Sequence, residues 1–399
     1  MRLIWVNHYA VTPDLPGGTR HAELGRELAR LGWDVTIVST DFHFQERAFR
    51  RRRAAADRRP IEEWVDGVRF LWLWSAPYQA NDWRRAWNWL SFGRNVLRLD
   101  SGADVVIGSS PHLIAAAAAA RVARRSGARF ILEVRDLWPE SLVAAGGRIG
   151  LAYRGLAAVA TMLYRKAERI VVLTPGVAAN LTERGLDPAK LILAPNGVDS
   201  TAFSQAVAES RGTVTFGYAG AHGPANGLDL LIDAAALLRD DPTIRIVCVG
   251  DGPSKPALRE RIVALGLTNV ELLPPVPKTA VPAMLARFDV GLMLLREAPL
   301  FSFGVSPNKL FDYLAAGLPV VSNVAGEVAE MVSSAGAGET VPGGSAESLA
   351  AAMRRMAARP GEERRKLGAA GRAWVTTNHG RAGVARRLDD ELRRLVEAR

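Results

Sequence analysis

Gly304-Val305-Ser306-Pro307-Asn308-Lys309-Leu310-Phe311-Asp312-Tyr313-Leu314-Ala315-Ala316-Gly317-Leu318-Pro319-Val320-Val321 reads as loop, helix and strand in succession. Ser306 and Pro307 are residue types that favour a helix opening, and Lys309 to Ala316 continues as the helix. Val320 to Ser322 is the strand that follows. Lys309 and Asp312 lie three apart, so they share one helix face. Free amides at that end, with the Lys309 ammonium, would suit a pyrophosphate, and Asp312 would accept hydrogen bonds from ribose hydroxyls. The plainer alternative is a solvent-exposed Lys/Asp pair with no ligand.

The same alternation runs outward in both directions. Val214 to Tyr218 is a strand, Gly227 to Leu238 a helix and Ile244 to Val249 a strand, with Pro282 to Arg287 and Val290 to Leu294 continuing the series. An earlier series holds strands at Met1 to Val6, Val35 to Ser39, Val105 to Ser109, Phe130 to Val134, Ile170 to Leu173 and Leu191 to Ala194, with a helix at Thr19 to Leu31. Short β-rich runs alternating with helices predict parallel βαβ units. Residues 1–199 and 213–380 are each the right size for one doubly wound sheet, with the polar stretch 200–212 as linker. The expected fold class is α/β, two Rossmann-like domains facing a cleft, with ligands beyond the carboxyl ends of the strands.

Bulk composition closes several doors. The chain has 399 residues, 48% hydrophobic and 23% charged, which excludes a disordered or collagen-like protein. A single cysteine, Cys248, excludes an intramolecular disulfide, and no Cys/His cluster has zinc spacing. No signal peptide is read at the start, and no apolar run approaches the ~18 residues that a spanning helix needs. The expected location is cytoplasmic. The net charge of +10 and ten Trp leave nucleic acid, an anionic membrane or a phosphorylated small molecule as possible partners.

Three further loops carry candidate chemistry. Pro16-Gly17-Gly18-Thr19-Arg20-His21 follows the first strand and runs into a helix, where bare glycines and Arg20 suit an anion; alone, it is a plain turn. Glu133-Val134-Arg135-Asp136-Leu137-Trp138-Pro139-Glu140 ends another strand, so Arg135 and Asp136 are site candidates or, alternatively, a surface pair capping a helix. In the second series, Gly217 to Gly227 frames a glycine-rich loop, with Gly220 in a phosphate cradle and His222 and Asn226 as polar side chains. Val249-Gly250-Asp251-Gly252-Pro253 is a tight turn where backbone can meet a ribose or base, or a generic α/β loop.

Together these stretches resemble the family-4 retaining glycosyltransferases of the two-domain GT-B fold. The branch they resemble builds bacterial O-antigen and capsule with N-acetylfucosamine-type amino sugars. The matching stretches are 16–24, 133–141, Pro195-Asn196-Gly197-Val198-Asp199 before Phe203, 218–231 and 306–321. The resemblance implies an NDP-sugar donor, expected to be a UDP-sugar, held by the C-terminal domain. It implies an acceptor, saccharide or lipid-linked, held by the N-terminal one, retention of configuration, and no cofactor or metal. It also implies that residues 381–399 form a helix crossing back to the N-terminal domain.

Two departures from the family stand out. The paired glutamates of the family fall on Gly304 and Asp312, and its Arg and Lys fall on Ala221 and Asn226. Neutralising a leaving diphosphate therefore falls to Lys309, the Gly17-Gly18 turn, Arg20 or His222. Arg135 stands where many relatives place a His near the reacting carbon, and Asp136 is the one carboxylate to test as nucleophile. Gly220, Asn226, Gly250, Asp251, Ser306 and Asn308 complete the expected donor site. The alternatives are a UDP-sugar 2-epimerase-like isomerase on the same fold and a catalytically silent partner subunit.

The basic and aromatic residues are unevenly placed. Residues 1–200 carry 28 Lys+Arg against 20 Asp+Glu, residues 201–350 carry 10 against 15, and residues 351–399 carry 13 against 6. Nine of the ten Trp lie in the first half. A helix over 82–99 places Trp83, Trp87, Leu90 and Leu97 on one face, with Arg84 and Arg85 elsewhere, and an Arg run precedes it from 47 to 59. That pattern suits peripheral association with the anionic inner face of a cell membrane, or an ordinary packed helix. Nucleic acid is disfavoured because no binding module accompanies the Arg run.

Overall fold

The computed structural model describes all residues other than 16, 45, 81, 101, 141–149, 204–211, 298–303 and 399. Pro16 and Ser141 of the motif stretches, and most of the expected linker, lie outside the described residues. The chain divides into two units: Met1–Pro13, Gly17–Pro195 and Arg381–Arg399 form one, and Asp14–Pro16 with Asn196–Gly380 form the other.

The strands of the first unit are β1 (Arg2–Val6), β2 (Asp34–Thr40), β3 (Phe42–His43), β4 (Ala48–Phe49), β5 (Ile61–Val65), β6 (Val68–Leu73), β7 (Val105–Ser109), β8 (Arg129–Val134), β9 (Arg169–Val172) and β10 (Leu191–Leu193). Among the described residues, the main sheet runs β10-β9-β8-β7-β1-β2-β6-β5. All neighbours are parallel except β5 and β6. The strands are near-continuous apolar runs because helices cover both faces of a parallel sheet. Leu3, Trp5, Ile37, Phe70, Val105, Ile107, Ile131 and Val171 are all buried in one core cluster.

The antiparallel β5–β6 pair is absent from the sequence-based expectation. Asp66 and Gly67 both take positive φ at its tip, 50° and 79°. An Asp-Gly pair between apolar runs is the strongest short-range hairpin signal, so this element was legible.

The helix Arg381–Glu397 belongs to the first unit. Val384, Ala385, Leu388, Leu392 and Leu395 enter its core. Trp33 Nε1 donates to Asp389 Oδ1 at 2.6 Å, and Arg393 donates to the Leu31 carbonyl at 2.7 Å.

The second unit has strands β11 (Val214–Ala219), β12 (Ile244–Val249), β13 (Val270–Leu273), β14 (Val290–Met293), β15 (Val320–Ser322) and β16 (Gly338–Thr340). They form an all-parallel sheet in the order β13-β12-β11-β14-β15-β16. Strand order reverses between β11 and β14 here, and between β1 and β7 in the first unit. Such switch points leave a crevice outside the carboxyl ends of the strands.

The boundary between units falls at Pro195/Asn196, not beyond Asp199. Val198 and Phe203 are buried in the second unit's core, and Arg372 donates to the Ser200 and Phe203 carbonyls at 3.0 and 2.8 Å. Residues 200–203 are thus a packed turn of the second unit rather than linker. Polarity of the stretch concealed the two apolar anchors.

Candidate functional site

In the second unit the glycine-rich exit from β11 meets the helix Asn308–Ala315. Lys309 Nζ donates to the Tyr218 hydroxyl and to Asn226 Oδ1, each at 2.9 Å, and lies 4.4 Å from the centre of the Tyr218 ring. The Tyr218 hydroxyl in turn donates to the Ala221 carbonyl at 2.8 Å. No salt bridge reaches Lys309 among the described residues, and burial alone pulls its ammonium down to about 7. Pro307 precedes the helix without a side-chain cap, so its first amides have no capping side chain.

Gly220 packs against this lysine: a Cβ there would stand 3.4 Å from Lys309 Cε. Gly250, at φ +149°, faces it from the neighbouring exit, where a Cβ would collide with the Gly220 carbonyl oxygen at 1.8 Å. The two exit loops therefore touch backbone to backbone, which only glycine permits. Asp251 is exposed, and its Oδ1 accepts the Gly252 amide at 2.9 Å.

His222 is fully buried in the same loop, and its amide donates to the Asp251 carbonyl at 2.8 Å. Neither ring nitrogen has a partner among the described residues. Burial first, then the charge of Lys255, pushes its imidazole down to about 4, so the ring is neutral near pH 7. In the free protein it is thus not the cation that the sequence reading took it for.

Asp312 does not face solvent as a lone acceptor. Lys278 Nζ, from the turn before the helix Val281–Leu285, donates to both carboxylate oxygens at 2.6 Å. Sequence reasoning missed Lys278, which lies 34 residues away with no motif around it. It quoted Asn196 within a motif but gave it no role; its amide donates to Ser306 Oγ at 3.0 Å and its side-chain nitrogen donates to the Ser306 carbonyl. The Pro-Asn-Gly-Val-Asp element thereby straps down the loop that leads into Asn308 and Lys309.

Gly304 has φ +92°, and a Cβ there would lie 2.4 Å from Glu327 Oε2. A side chain at the position of the absent first glutamate would thus be strained by the backbone conformation and would have to displace the Glu327 carboxylate.

In the first unit the Gly17-Gly18 turn and Arg135 come together: a Cβ on Gly18 would stand 3.7 Å from Arg135 Nη2. The Arg135 amide donates to Ser110 Oγ at 2.9 Å, which steadies the exit from β8, and Asp136 is exposed beside it.

Arg20, by contrast, turns inward. Its guanidinium is buried, pairs with Glu133 Oε1 at 3.0 Å and donates to the Ala194 and Pro195 carbonyls, each at 2.7 Å. Glu133 Oε2 meets His21 Nε2 at 2.8 Å and accepts the Ser109 hydroxyl at 2.6 Å. This is an internal brace across three strand ends, so Arg20 is not a phosphate ligand as expected. A charged residue beside a glycine turn looks the same in sequence whether it points out or in.

The aromatic helix spans Trp83–Val96, with Asp82 as its N-cap. Trp83 is 72% exposed, Trp87 50% and Leu90 49%, whereas Phe92 and Val96 are buried. Arg84 lies over the Trp83 ring at 5.7 Å, but Arg85 turns onto Trp89 at 5.3 Å, away from the exposed face. The Arg run before it is mostly woven into the unit. Arg52 pairs with buried Asp41 at 2.7 Å, Arg51 with Glu63 at 2.9 Å, and Arg58 covers the Trp74 ring.

A glycosyl transferase 4-like domain model matches residues 17–197, and a glycosyl transferases group 1 model matches residues 213–359. The chain carries two glycosyl transferase domains, one in each unit. WcaI of Escherichia coli K12, which bears the name of a colanic acid biosynthesis glycosyl transferase, is 28% identical over 234 residues. WbjE of Pseudomonas aeruginosa, also named a glycosyltransferase, is 25% identical over 230. In both cases the match spans 54% of this chain and 56% of the relative, about half the length of each. Sucrose-phosphate synthase of Thermosynechococcus elongatus superposes with a TM-score of 0.78 at 17% identity, covering 100% of both chains. Anabaena HepE, solved with UDP-glucose, does so at 0.71 and 14%, covering 98% of this chain and 99% of its own. These two likenesses establish the fold.

Proposed function

We propose that the protein transfers a sugar from an NDP-sugar, most simply a UDP-sugar, to a saccharide or lipid-linked acceptor in cell-surface polysaccharide synthesis. The observation that carries this reading is Lys309. It is an ammonium held by a phenol and an amide, with no salt bridge among the described residues, beside Gly220 and uncapped helix amides. An arrangement of that kind lacks a counter-anion, and a diphosphate supplies one. Asp312, oriented by Lys278, would accept the ribose hydroxyls.

In this reading the second unit binds the donor and the first binds the acceptor. The diphosphate leaves toward Lys309 and the glycine amides, and the acceptor hydroxyl attacks the same face of the sugar, with retention. The departing phosphate oxygen takes the acceptor proton. Arg135, beside Gly18, is the first unit's cation for that step, and no metal is called on. The donor sugar is assigned to the N-acetylated or deoxy amino sugars. The exposed Trp83, Trp87 and Leu90 would rest on an anionic membrane where a lipid-linked acceptor lies. The two domain models and the named relatives favour transfer over the isomerase reading.

The test is nucleotide binding by calorimetry. Native protein is expected to bind UDP, or another nucleoside diphosphate, and Lys309→Ala to lose at least tenfold in affinity while keeping its thermal unfolding midpoint. Equal affinity in the variant would overturn the assignment of Lys309.

A further inference from the structure

A lysine ammonium has three N–H groups to place. Lys309 gives two of them to the Tyr218 hydroxyl and Asn226 Oδ1, each at 2.9 Å, and the third has no hydrogen-bond partner among the described residues. Both acceptors are themselves held. Tyr218 is fully buried in β11, beside Cys248 of β12, and its O–H donates to the Ala221 carbonyl at 2.8 Å, so its lone pairs are left for the ammonium. Asn226 ends the short turn Pro224–Asn226. Its amide donates to the Gly223 carbonyl at 3.0 Å, and the Arg296 amide donates to the adjoining Ala225 carbonyl at 2.9 Å.

The lysine is anchored from its own side as well. Tyr313, four residues on and so on the same helix face, accepts the Ala219 amide at 2.8 Å. The helix Asn308–Ala315 is thus fastened to the β11 exit at two successive turns. The charged and titratable groups around the ammonium have other duties. Burial pushes the Tyr218 phenol up, so it stays neutral, and His222 is neutral, with Lys255 and Asp251 near it. Lys255 is buried and donates to the Gly250 and Leu273 carbonyls at 2.6 and 2.7 Å, while Asp312 is engaged by Lys278. Lys309 is therefore aimed by two neutral groups without being neutralised.

We propose that Tyr218 and Asn226 are positioning residues for the donor diphosphate: as neutral acceptors they fix two N–H groups of Lys309 and aim the third at one phosphoryl oxygen. The proposal rests on Lys309 being the diphosphate cation, as read above. Tyr218 has no exposed surface, so it touches no ligand and acts only through the lysine. A carboxylate in either place would satisfy the ammonium permanently and repel the phosphates. An apolar residue would leave N–H groups of the ammonium without acceptors. The cation that the resemblance expects at 226 would stand directly against Lys309, so the neutral amide at 226 and the lysine at 309 belong together.

Calorimetry with UDP at pH 5.5 and pH 8 on the full chain tests it, since the ratio of native to variant affinity cancels the nucleotide's own titration. An acceptor facing an ammonium favours the charged form, so its removal lets the proton leave at lower pH. Tyr218→Phe should therefore bind UDP within about threefold of native at pH 5.5 and about tenfold more weakly than native at pH 8. A merely structural disturbance would weaken binding by the same factor at both. In Asn226→Asp the carboxylate occupies the ammonium, and affinity should fall at least thirtyfold at pH 5.5, where the lysine is charged in both proteins. A Tyr218→Phe ratio that is equal at the two pH values, or an Asn226→Asp variant that binds as native does, overturns the proposal. If Lys309→Ala loses UDP while Tyr218→Phe shows no pH-dependent loss, Lys309 remains the cation and the positioning pair falls. If native protein binds no nucleoside diphosphate at either pH, the donor reading falls and the pair with it.

Discussion

Lys278 Nζ donates to both carboxylate oxygens of Asp312 at 2.6 Å, across 34 residues of chain, and both side chains are largely shielded from solvent. A carboxylate gripped by both oxygens has little rotational freedom, and its remaining lone pairs point in fixed directions. If those lone pairs receive ribose hydroxyls, Lys278 acts as a positioning residue for the nucleotide. Lys278→Ala should therefore weaken UDP binding by about 1–2 kcal/mol, roughly five- to thirtyfold. Asp312→Ala should cost at least as much. Calorimetry with UDP and with 2′,3′-dideoxy-UDP checks the route. The dideoxy nucleotide lacks the hydroxyls, so neither substitution should alter its affinity.

The low pKa of Lys309 gives nucleotide binding a pH dependence of definite sign. In the free protein the ammonium loses its proton near pH 7, because burial disfavours the charge. A diphosphate favours the charged form, so the pKa rises on binding and a proton is taken up. Affinity should be full below pH 7 and fall as pH rises above it, by up to tenfold per pH unit until the pKa of the complex is reached. Titrations in buffers of different ionisation enthalpy measure the proton directly at pH 7.5. In Lys309→Met the uptake should vanish.

How far the sequence carried the fold depends on the kind of signal. Parallel strands buried on both faces announce themselves as apolar runs. Val105 to Ser109, Ile244 to Val249 and Val320 to Ser322 agree to the residue with the observed strands. The helix holding Lys309 and Asp312 was equally plain, because its start, its face and its stop are all local. What stayed hidden is non-local. Neither Lys278 beside Asp312 nor Asn196 beneath Ser306 leaves a periodicity to find. The direction of Arg20 depends on Glu133, more than a hundred residues later. The neutrality of His222 follows from burial and from Lys255, neither of which a loop sequence displays.

Membrane association can be tested on the exposed rings. Trp83 and Trp87 project from the helix Trp83–Val96, with Leu90 exposed on the same element. Arg84 is exposed beside them, while most of the earlier Arg run is already paired within the unit. The attraction should therefore come more from aromatic burial than from charge. Trp83→Ala/Trp87→Ala is expected to reduce cosedimentation with vesicles of one-third phosphatidylglycerol by tenfold or more. Arg84→Gln should reduce it by no more than about fivefold, since one cation near an anionic surface contributes roughly 1 kcal/mol at most. UDP affinity should be untouched in all these variants.

The buried brace of Arg20 and Glu133 makes a prediction opposite to that of a phosphate ligand. Both side chains are excluded from solvent, and the guanidinium also holds the carbonyls of Ala194 and Pro195. Burial alone would raise the Glu133 carboxyl, but the charges of His21 and Arg20 outweigh it and hold the group well below the usual carboxylate range. The folded state therefore binds fewer protons here than the unfolded chain does. This contribution to stability is complete above the unfolded pKa of about 4.3 and is lost as pH falls through the acid range. Glu133→Gln should lower unfolding stability in urea by about 3–5 kcal/mol at pH 7, because it strands a buried guanidinium. It should also flatten the acid limb of the stability curve. At temperatures where the variant stays folded, UDP affinity should match the native value; a large loss there, with stability intact, would return Arg20 and its partner to the ligand site.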